Sequence, residues 1–167
     1  KEVDLGQPFN IYISGTDAFG EIDISGRTDV NLILSINPKD RMVMMTTVPR
    51  DSYLPIAGGG YDEYDKFTHS GIYGIESSIE TLERTFDTTI DYYIKVNFSS
   101  LIEMVNAMDY VDVVNVRGFK PVFSDEYFPR GLLRVNGEQA LHFARERKAL
   151  SDGDYSRGRN HMRLLEA

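Results

Sequence analysis

Hydrophobic and polar positions alternate over residues 9–15 (FNIYISG), and β-branched and aromatic types dominate, which predicts a strand. A polar loop with two glycines follows, TDAFGEIDISGRTD. Two apolar runs, 30–37 (VNLILSIN) and 42–48 (MVMMTTV), then flank Pro38-Lys39-Asp40, as in a hairpin. Residues 49–64 read as irregular, with Gly58-Gly59-Gly60 at their centre. Ile72, Ile75, Ile79, Leu82 and Phe86 keep helical spacing and predict a helix over 72–86. A strand over 90–96 and a helix over 98–108 come next, the helix turning Leu101, Ile102 and Val105 inward. A strand over 111–116 leads into a Pro-bearing loop that runs through Arg134.

Asn136 has the chemistry of an N-cap, and Gln139 stands three residues on, the spacing of a capping box. The helix it opens faces Ala140, Leu141, Phe143 and Ala144 to the core and ends near 145–148. A last helix starts around Ser156. Strands alternating with helices predict an α/β fold: one domain, with a central mixed sheet flanked by helices on both faces, an α-β-α sandwich. Residues 1–8 read as a linker or truncated segment and 9–167 as the domain itself.

Composition narrows the chemistry. Eighteen Lys and Arg against 26 Asp and Glu leave a net charge of -8, which speaks against a nucleic-acid surface. With no cysteine, a thiol nucleophile, a cysteine zinc site and a disulfide framework are all excluded. No window approaches the roughly 20 apolar residues of a membrane span. The chain starts at Lys1 without Met and stops inside a helical pattern at Ala167, so it reads as an excised domain.

Against that acidic background the arginines are unevenly placed. Arg145, Arg147, Arg157, Arg159 and Arg163 crowd into FARERKALSDGDYSRGRNHMR, while Arg27 and Arg50 sit in GRTD and PRD just outside strand-like runs. Guanidinium groups stay charged and match phosphate oxygens two at a time. The pattern suggests a pocket for a small polyanion, which an α/β fold would gather at one end of its sheet. Asp17, Arg27 and Asp29 bracket one loop. Their two carboxylates suit a hard divalent cation completed by phosphate oxygens, although such residues also serve as turn and cap formers. Arg50 could form a surface pair with Asp51, worth little. Asp65-Lys66-Phe67-Thr68-His69 adds a cation and a proton carrier. Arg145 and Arg147 point about 200° apart on a regular helix, so both reach one site only where the helix unwinds. The residues Lys-Ala-Leu-Ser-Asp-Gly-Asp that follow supply such an end. Part of the cluster also suits a helix C-terminus. Neither a Walker lysine loop nor GxGxxG, GxSxG or HExxH occurs.

These motifs in this order resemble the LytR–CpsA–Psr family of Gram-positive cell-wall enzymes. The resemblance runs from Gly15-Thr16-Asp17 and Gly26-Arg27-Thr28-Asp29 through VPRDSYLPI, DKFTHSGIYG and IDYYIKVNFSSLIEMVNAM to YFPRGLLRVNGEQALHFARERK and GDYSRGRN. It implies a phosphotransferase. The enzyme would move a glycopolymer phosphate (wall teichoic acid, capsular or other secondary polysaccharide) from a polyprenyl-pyrophosphate carrier to a muramic acid hydroxyl of peptidoglycan. It also implies an N-terminal membrane anchor absent from this chain and a position on the outer face of the cytoplasmic membrane, with no nucleic-acid partner. Asp17 and Asp29 correspond to the family's metal carboxylates, for magnesium or manganese. Arg27, Arg50, Arg145, Arg147 and Arg157 correspond to the arginines that grip pyrophosphate, with Lys66 a further contact. Arg27, Asp29, Arg50, Arg145 and Arg147 form the expected catalytic set. His161 stands where the family usually has Gln, and would act as a donor or make the site pH-sensitive near the ordinary histidine pKa of about 6.5. The lipid tail calls for an apolar cavity, for which Ile94, Phe98, Leu101, Ile102 and Val105 are candidates beside a plain core role. Two rival functions remain: a non-catalytic polyprenyl-phosphate binding or regulatory module, which could manage with the arginines and would not need both Asp17 and Asp29, and a pyrophosphatase, for which the same residues would serve.

Overall fold

β-branched and aromatic runs near the N-terminus build one sheet. The computed structural model describes residues 6–22, 26–58, 63–147 and 153–167. Strands β1 (Phe9–Gly15), β2 (Val30–Asn37) and β3 (Met42–Thr47) form an antiparallel meander, and β6 (Tyr92–Val96) adds to β1 in parallel. The order is β3-β2-β1-β6. The α/β class with a central mixed sheet is thus as expected. Contacts divide the chain into two compact units, Lys1–Asp17 with Glu21–Asn97, and Ala18–Gly20 with Phe98–Ala167.

In the first unit the core is Tyr12, Ile33, Val48, Ile56, Phe67, Ile75, Leu82 and Ile90. Two short strands pair here: β4 (Tyr53–Pro55), inside the stretch expected to be irregular, and β5 (Tyr64–Lys66), which starts at its last residue. Three-residue strands carry too little pattern to be read, because their pairing rests on a partner across a loop. The glycine run expected at its centre lies, for Gly59 and Gly60, outside the described residues. A 3-10 turn (Phe67–Tyr73) precedes α1 (Ile75–Phe86). The expected helix over 72–86 therefore starts three residues late. Ile72 belongs to the turn and is exposed, as is Phe86, while Ile75 and Leu82 face the core.

The second unit has helices α2 (Phe98–Ala107), α3 (Gly137–Arg145) and α4 (Asp154–Glu166) with the antiparallel pair β7 (Val111–Asn115) and β8 (Gly131–Val135). β8 replaces the end of the expected loop. Phe119, Phe128 and Phe143 meet edge-on or tilted, at 5.5–6.3 Å between ring centres, among Val105, Val111, Val113, Val135 and Ala140. Leu101 packs against this core and Val105 lies within it, so both have the plain packing role. Ile94, on β6 in the first unit, is exposed.

α2 and α3 touch where Gly137 has no side chain, for a Cβ there would come within 2.5 Å of the Ile102 carbonyl oxygen. The capping box forms as the spacing predicted: the Gln139 backbone N–H donates to Asn136 Oδ1, and the Asn136 N–H donates to Gln139 Oε1, both at 3.0 Å. Asn136→Ala should destabilise the second unit by about 1 kcal/mol. The lowered midpoint of chemical unfolding would show it.

Candidate functional site

In the first unit, a polar network under the sheet fixes a loop. The Tyr12 hydroxyl donates to Asn31 Oδ1 at 2.6 Å and meets Thr28 Oγ1 at 3.2 Å, and Ser14 Oγ meets Thr28 Oγ1 at 2.9 Å. All four side chains are buried. Burial pushes the Tyr12 phenol up, against the lowering by its hydroxyl partners. With its side chain thus anchored, Thr28 also donates its backbone N–H to the Thr68 carbonyl, and Gly26 donates to the Gly71 carbonyl. Arg27 is held between these two backbone clamps and projects outward, exposed. Asp29 donates its N–H to Gly15, at the end of β1.

The same 3-10 turn reaches the second motif. The Thr68 N–H donates to the Arg50 carbonyl at 2.8 Å and the Phe67 N–H to Ser52 at 2.8 Å. Arg50 Nη1 forms an ion pair with Asp29 Oδ1, both side chains largely shielded from solvent. The backbone N–H of Asp17 donates to Asp29 Oδ2 at 3.2 Å. Asp17, Asp29 and Arg50 are therefore brought together, with Arg27 two residues from Asp29 on the same clamped loop. Lys66 pairs with Asp51 at 2.9 Å, in the open. His69 Nδ1 meets Asp65 Oδ2 at 2.7 Å, and the hydrogen bond from His69 holds the Asp65 carboxyl below its ordinary range.

Asp17 and Asp29 bear on the expected metal. Among the described residues no group of three or more His, Asp or Glu side chains is spaced to hold one. The Asp17 backbone N–H on Asp29 Oδ2 holds the two residues together, and a pair of carboxylates is the donor set a hard cation takes alongside water and phosphate oxygens.

In the second unit, Arg145 ends α3. Its guanidinium carbon lies 4.4 Å from the ring centre of Phe98 and 4.6 Å from that of Phe123. Such rings attract the cation and restrict where it can point. The next residue, Glu146, is extended (φ -67°, ψ 126°), so the helix stops at Arg145. The helix thus ends within the expected 145–148 and leaves Arg147 off its regular spacing; residues 148–152 of the segment expected to supply that end lie outside the described residues. Arg147 is exposed. Glu146 is buried at 3 % exposure, and its Oε2 accepts the Val122 N–H at 2.8 Å.

α4 closes the end of α3. Asn160 Nδ2 donates to the Phe143 carbonyl at 3.0 Å, and the His161 ring bonds the Ala144 carbonyl. Two of the carbonyls that a helix leaves open at its end are thereby satisfied. Burial, and after it the charge of Arg157, pushes the His161 pKa down to about 4. His161 is therefore neutral near pH 6.5, and the expected switch at that pH is corrected: as a neutral ring it is a hydrogen-bond donor. Arg157 is itself buried, whereas Arg159 and Arg163 bond Ser156 and Asn160 within α4.

Sequence reading missed Glu146, which looked like one acid in a charged run. It also missed Phe123 and the buried trio Tyr12, Thr28 and Asn31. For the trio a signal existed in the polar residues set inside two apolar strands.

Comparison with known proteins bears on this arrangement. The model of the LytR_cpsA_psr family matches residues 2–167. The polyisoprenyl-teichoic acid–peptidoglycan teichoic acid transferase TagU of Bacillus cereus (strain AH820) is 32 % identical over 167 residues, covering 99 % of this chain and 53 % of that protein. The chain thus spans about half the length of such relatives. The crystal structure of B. subtilis TagV superposes with a TM-score of 0.85 at 28 % identity, over 97 % of this chain and 63 % of TagV. The protein YwtF (TagT) with bound octaprenyl pyrophosphate lipid gives 0.76 at 30 % identity, over 100 % and 66 %.

Two outcomes follow from the geometry. A Cβ at Gly71 would lie 2.2 Å from the Gly26 carbonyl oxygen and 3.0 Å from the Thr28 nitrogen. Gly71→Ala should therefore cost about 1–3 kcal/mol, as overpacking does, and lower the melting temperature. For His161, the unfolded chain takes up a proton near pH 6.5 and the folded one only near pH 4. Stability should fall as pH drops through that window, by on the order of 3 kcal/mol more than in His161→Gln. Equal pH slopes of denaturation in the two proteins would contradict the lowered pKa.

Proposed function

The chain belongs to the LytR_cpsA_psr family, and from that premise we propose that it transfers a phosphate-linked glycopolymer from a polyprenyl-pyrophosphate carrier to a hydroxyl of peptidoglycan. The observation that carries this reading is Arg145. Its guanidinium lies over the rings of Phe98 and Phe123, and none of the described ion pairs involves it. A guanidinium held by ring contacts rather than by a carboxylate keeps its N–H donors for an anion, and the rings restrict its orientation before the anion arrives.

Phosphoryl transfer needs little covalent help from a protein. It needs charge neutralisation and in-line placement. An acceptor hydroxyl oxygen attacks the sugar-linked phosphorus, a new P–O bond forms, and the bond to polyprenyl phosphate breaks with the electron pair leaving on that phosphate. The hydroxyl proton passes to solvent or to a carboxylate of the site. Arg145 and Arg147 neutralise phosphate charge in the second unit, and Arg157 adds its charge from within. Arg27 and Lys66 do so in the first. Arg50 is oriented by Asp29, whose oxygens accept from Arg50 and from the Asp17 N–H. That engagement favours anchoring over proton abstraction for Asp29. Magnesium or manganese, held by Asp17 and Asp29, would supply further charge neutralisation at the pyrophosphate. Neutral His161 and Asn160 keep the end of α3, and so Arg145, in place.

No helix among the described residues is long and apolar enough to cross a membrane. A lipid-linked donor and a peptidoglycan acceptor would meet at the outer face of the cytoplasmic membrane.

The test is transfer itself. The protein is incubated with a sugar-bearing polyprenyl pyrophosphate, magnesium and a peptidoglycan acceptor, and the product phosphodiester is measured. Arg145→Ala should lower kcat/KM by about 10²–10³, the usual cost of one transition-state donor. Arg145→Lys should recover little, because an ammonium lacks the planar fork. Chelation of the metal should suppress turnover and added magnesium restore it. Normal turnover in Arg145→Ala would sink the reading. Binding without turnover would point to a binding module, and release of phosphorylated sugar in the presence of acceptor to a pyrophosphatase.

A further inference from the structure

The β4–β5 ribbon carries two tyrosines, beside Lys66, that none of the chemistry above uses. In its register Tyr53 stands opposite Lys66, and Pro55 opposite Tyr64. Side chains alternate along a strand, so Tyr53, Pro55, Tyr64 and Lys66 share one face. The other face carries Leu54, which packs against the first unit's core. Phe67, fully buried, follows β5 directly, and its N–H bonds Ser52 just before β4. The ribbon is thus pinned from beneath, with its tyrosines outward. Their ring centres are 5.4 Å apart at 37°, and Tyr53 and Tyr64 remain 69 % and 59 % exposed. Beside them Lys66 Nζ pairs with Asp51 Oδ1 at 2.9 Å, each side chain more than half exposed.

We infer that Tyr53 and Tyr64 form a saccharide subsite: a sugar ring of the polymer stacks on the two tyrosines while its hydroxyls bond the Lys66–Asp51 pair. A pyranose presents a face of polarised C–H bonds, which suits the electron-rich face of a ring, and a rim of hydroxyls that donate and accept at once. The ammonium and carboxylate at the edge supply both partners. An acyl chain on the same face would desolvate that pair without replacing its hydrogen bonds. Two rings are also far too small an area for a stable protein interface. The assignment rests on the transferase reading, since Lys66 is there a phosphate contact. It places the first sugar next to that phosphate.

The experiment measures binding of three probes to the protein by titration calorimetry: a short polyprenyl pyrophosphate, the same lipid bearing a disaccharide, and the free disaccharide. The sugar-bearing lipid should bind more tightly than the bare one. Tyr53→Leu and Tyr64→Leu, which keep apolar bulk in the strands, should each lower affinity for the sugar-bearing lipid by about tenfold and leave the bare lipid unchanged. Tyr53→Phe and Tyr64→Phe should retain most of the affinity, since the ring is kept. Thermal melts of each variant report on the ribbon separately. Equal affinity of the wild type for both lipids would overturn the subsite while leaving the pyrophosphate reading standing. An equal loss for both lipids in the leucine variants would overturn it as well. Binding of the free disaccharide and of the sugar-bearing lipid, both lost in the leucine variants, with no binding of the bare lipid, would uphold the subsite and remove the transferase reading. No binding of any probe would remove both.

Discussion

A single buried hydroxyl, that of Thr28, governs the first cluster of functional groups. Inside a core, a polar oxygen must find partners or cost on the order of 1–3 kcal/mol. Thr28 finds them in Tyr12, Ser14 and Asn31. Because these partners stand on β1 and β2, the sheet dictates where the loop leaves its surface. Arg27 and Asp29 flank Thr28 directly and inherit that position. The 3-10 turn then repeats the lock from the other side, joining Thr28 to Arg50 through the backbone of Thr68. A charged loop that would otherwise wander is thereby set before any ligand arrives, which is the condition for electrostatic catalysis.

The second unit achieves rigidity by other means. There the guanidinium is fixed by stacking rather than by a carboxylate. An acid placed against Arg145 would neutralise the charge that an anion is meant to meet. Aromatic rings hold the group without cancelling it. Glu146, although adjacent in sequence, turns inward to the Val122 N–H. The two arginines around it are left on opposite sides of a residue that points elsewhere.

Local signals were readable from sequence and remote ones were not. The Asn136–Gln139 box was legible because both halves lie within one turn. β1, β2 and β3 were legible from long apolar runs. β4, β5 and β8 were not, since short strands acquire their identity from a partner across a loop. Helical spacing misassigned Ile72, because a 3-10 turn before a helix carries nearly the same period. Among the functional groups, Asp17, Arg27, Asp29 and Arg50 lay in motifs whose grouping within the first unit the structure makes plain. The stacking of Arg145 depends on Phe98 and Phe123, remote in sequence, and no periodicity announces it. The lowered pKa of His161 is likewise a matter of burial, which a lone histidine in a string of arginines does not reveal.

The closure of α3 by Asn160 and His161 has a consequence for the order in which the protein matures. Chains emerge with the N-terminus first, and segments organise as they become available. α3 is complete in sequence at Arg145, yet the carbonyls of Phe143 and Ala144 obtain their partners only from residues synthesised well afterwards. Until those arrive, the last turn of α3 has water in their place and is free to fray. The guanidinium it carries thus gains its fixed bearing among the final events of folding, so a nascent chain halted before Asn160 would hold every arginine of the first unit's loops and still lack a settled Arg145.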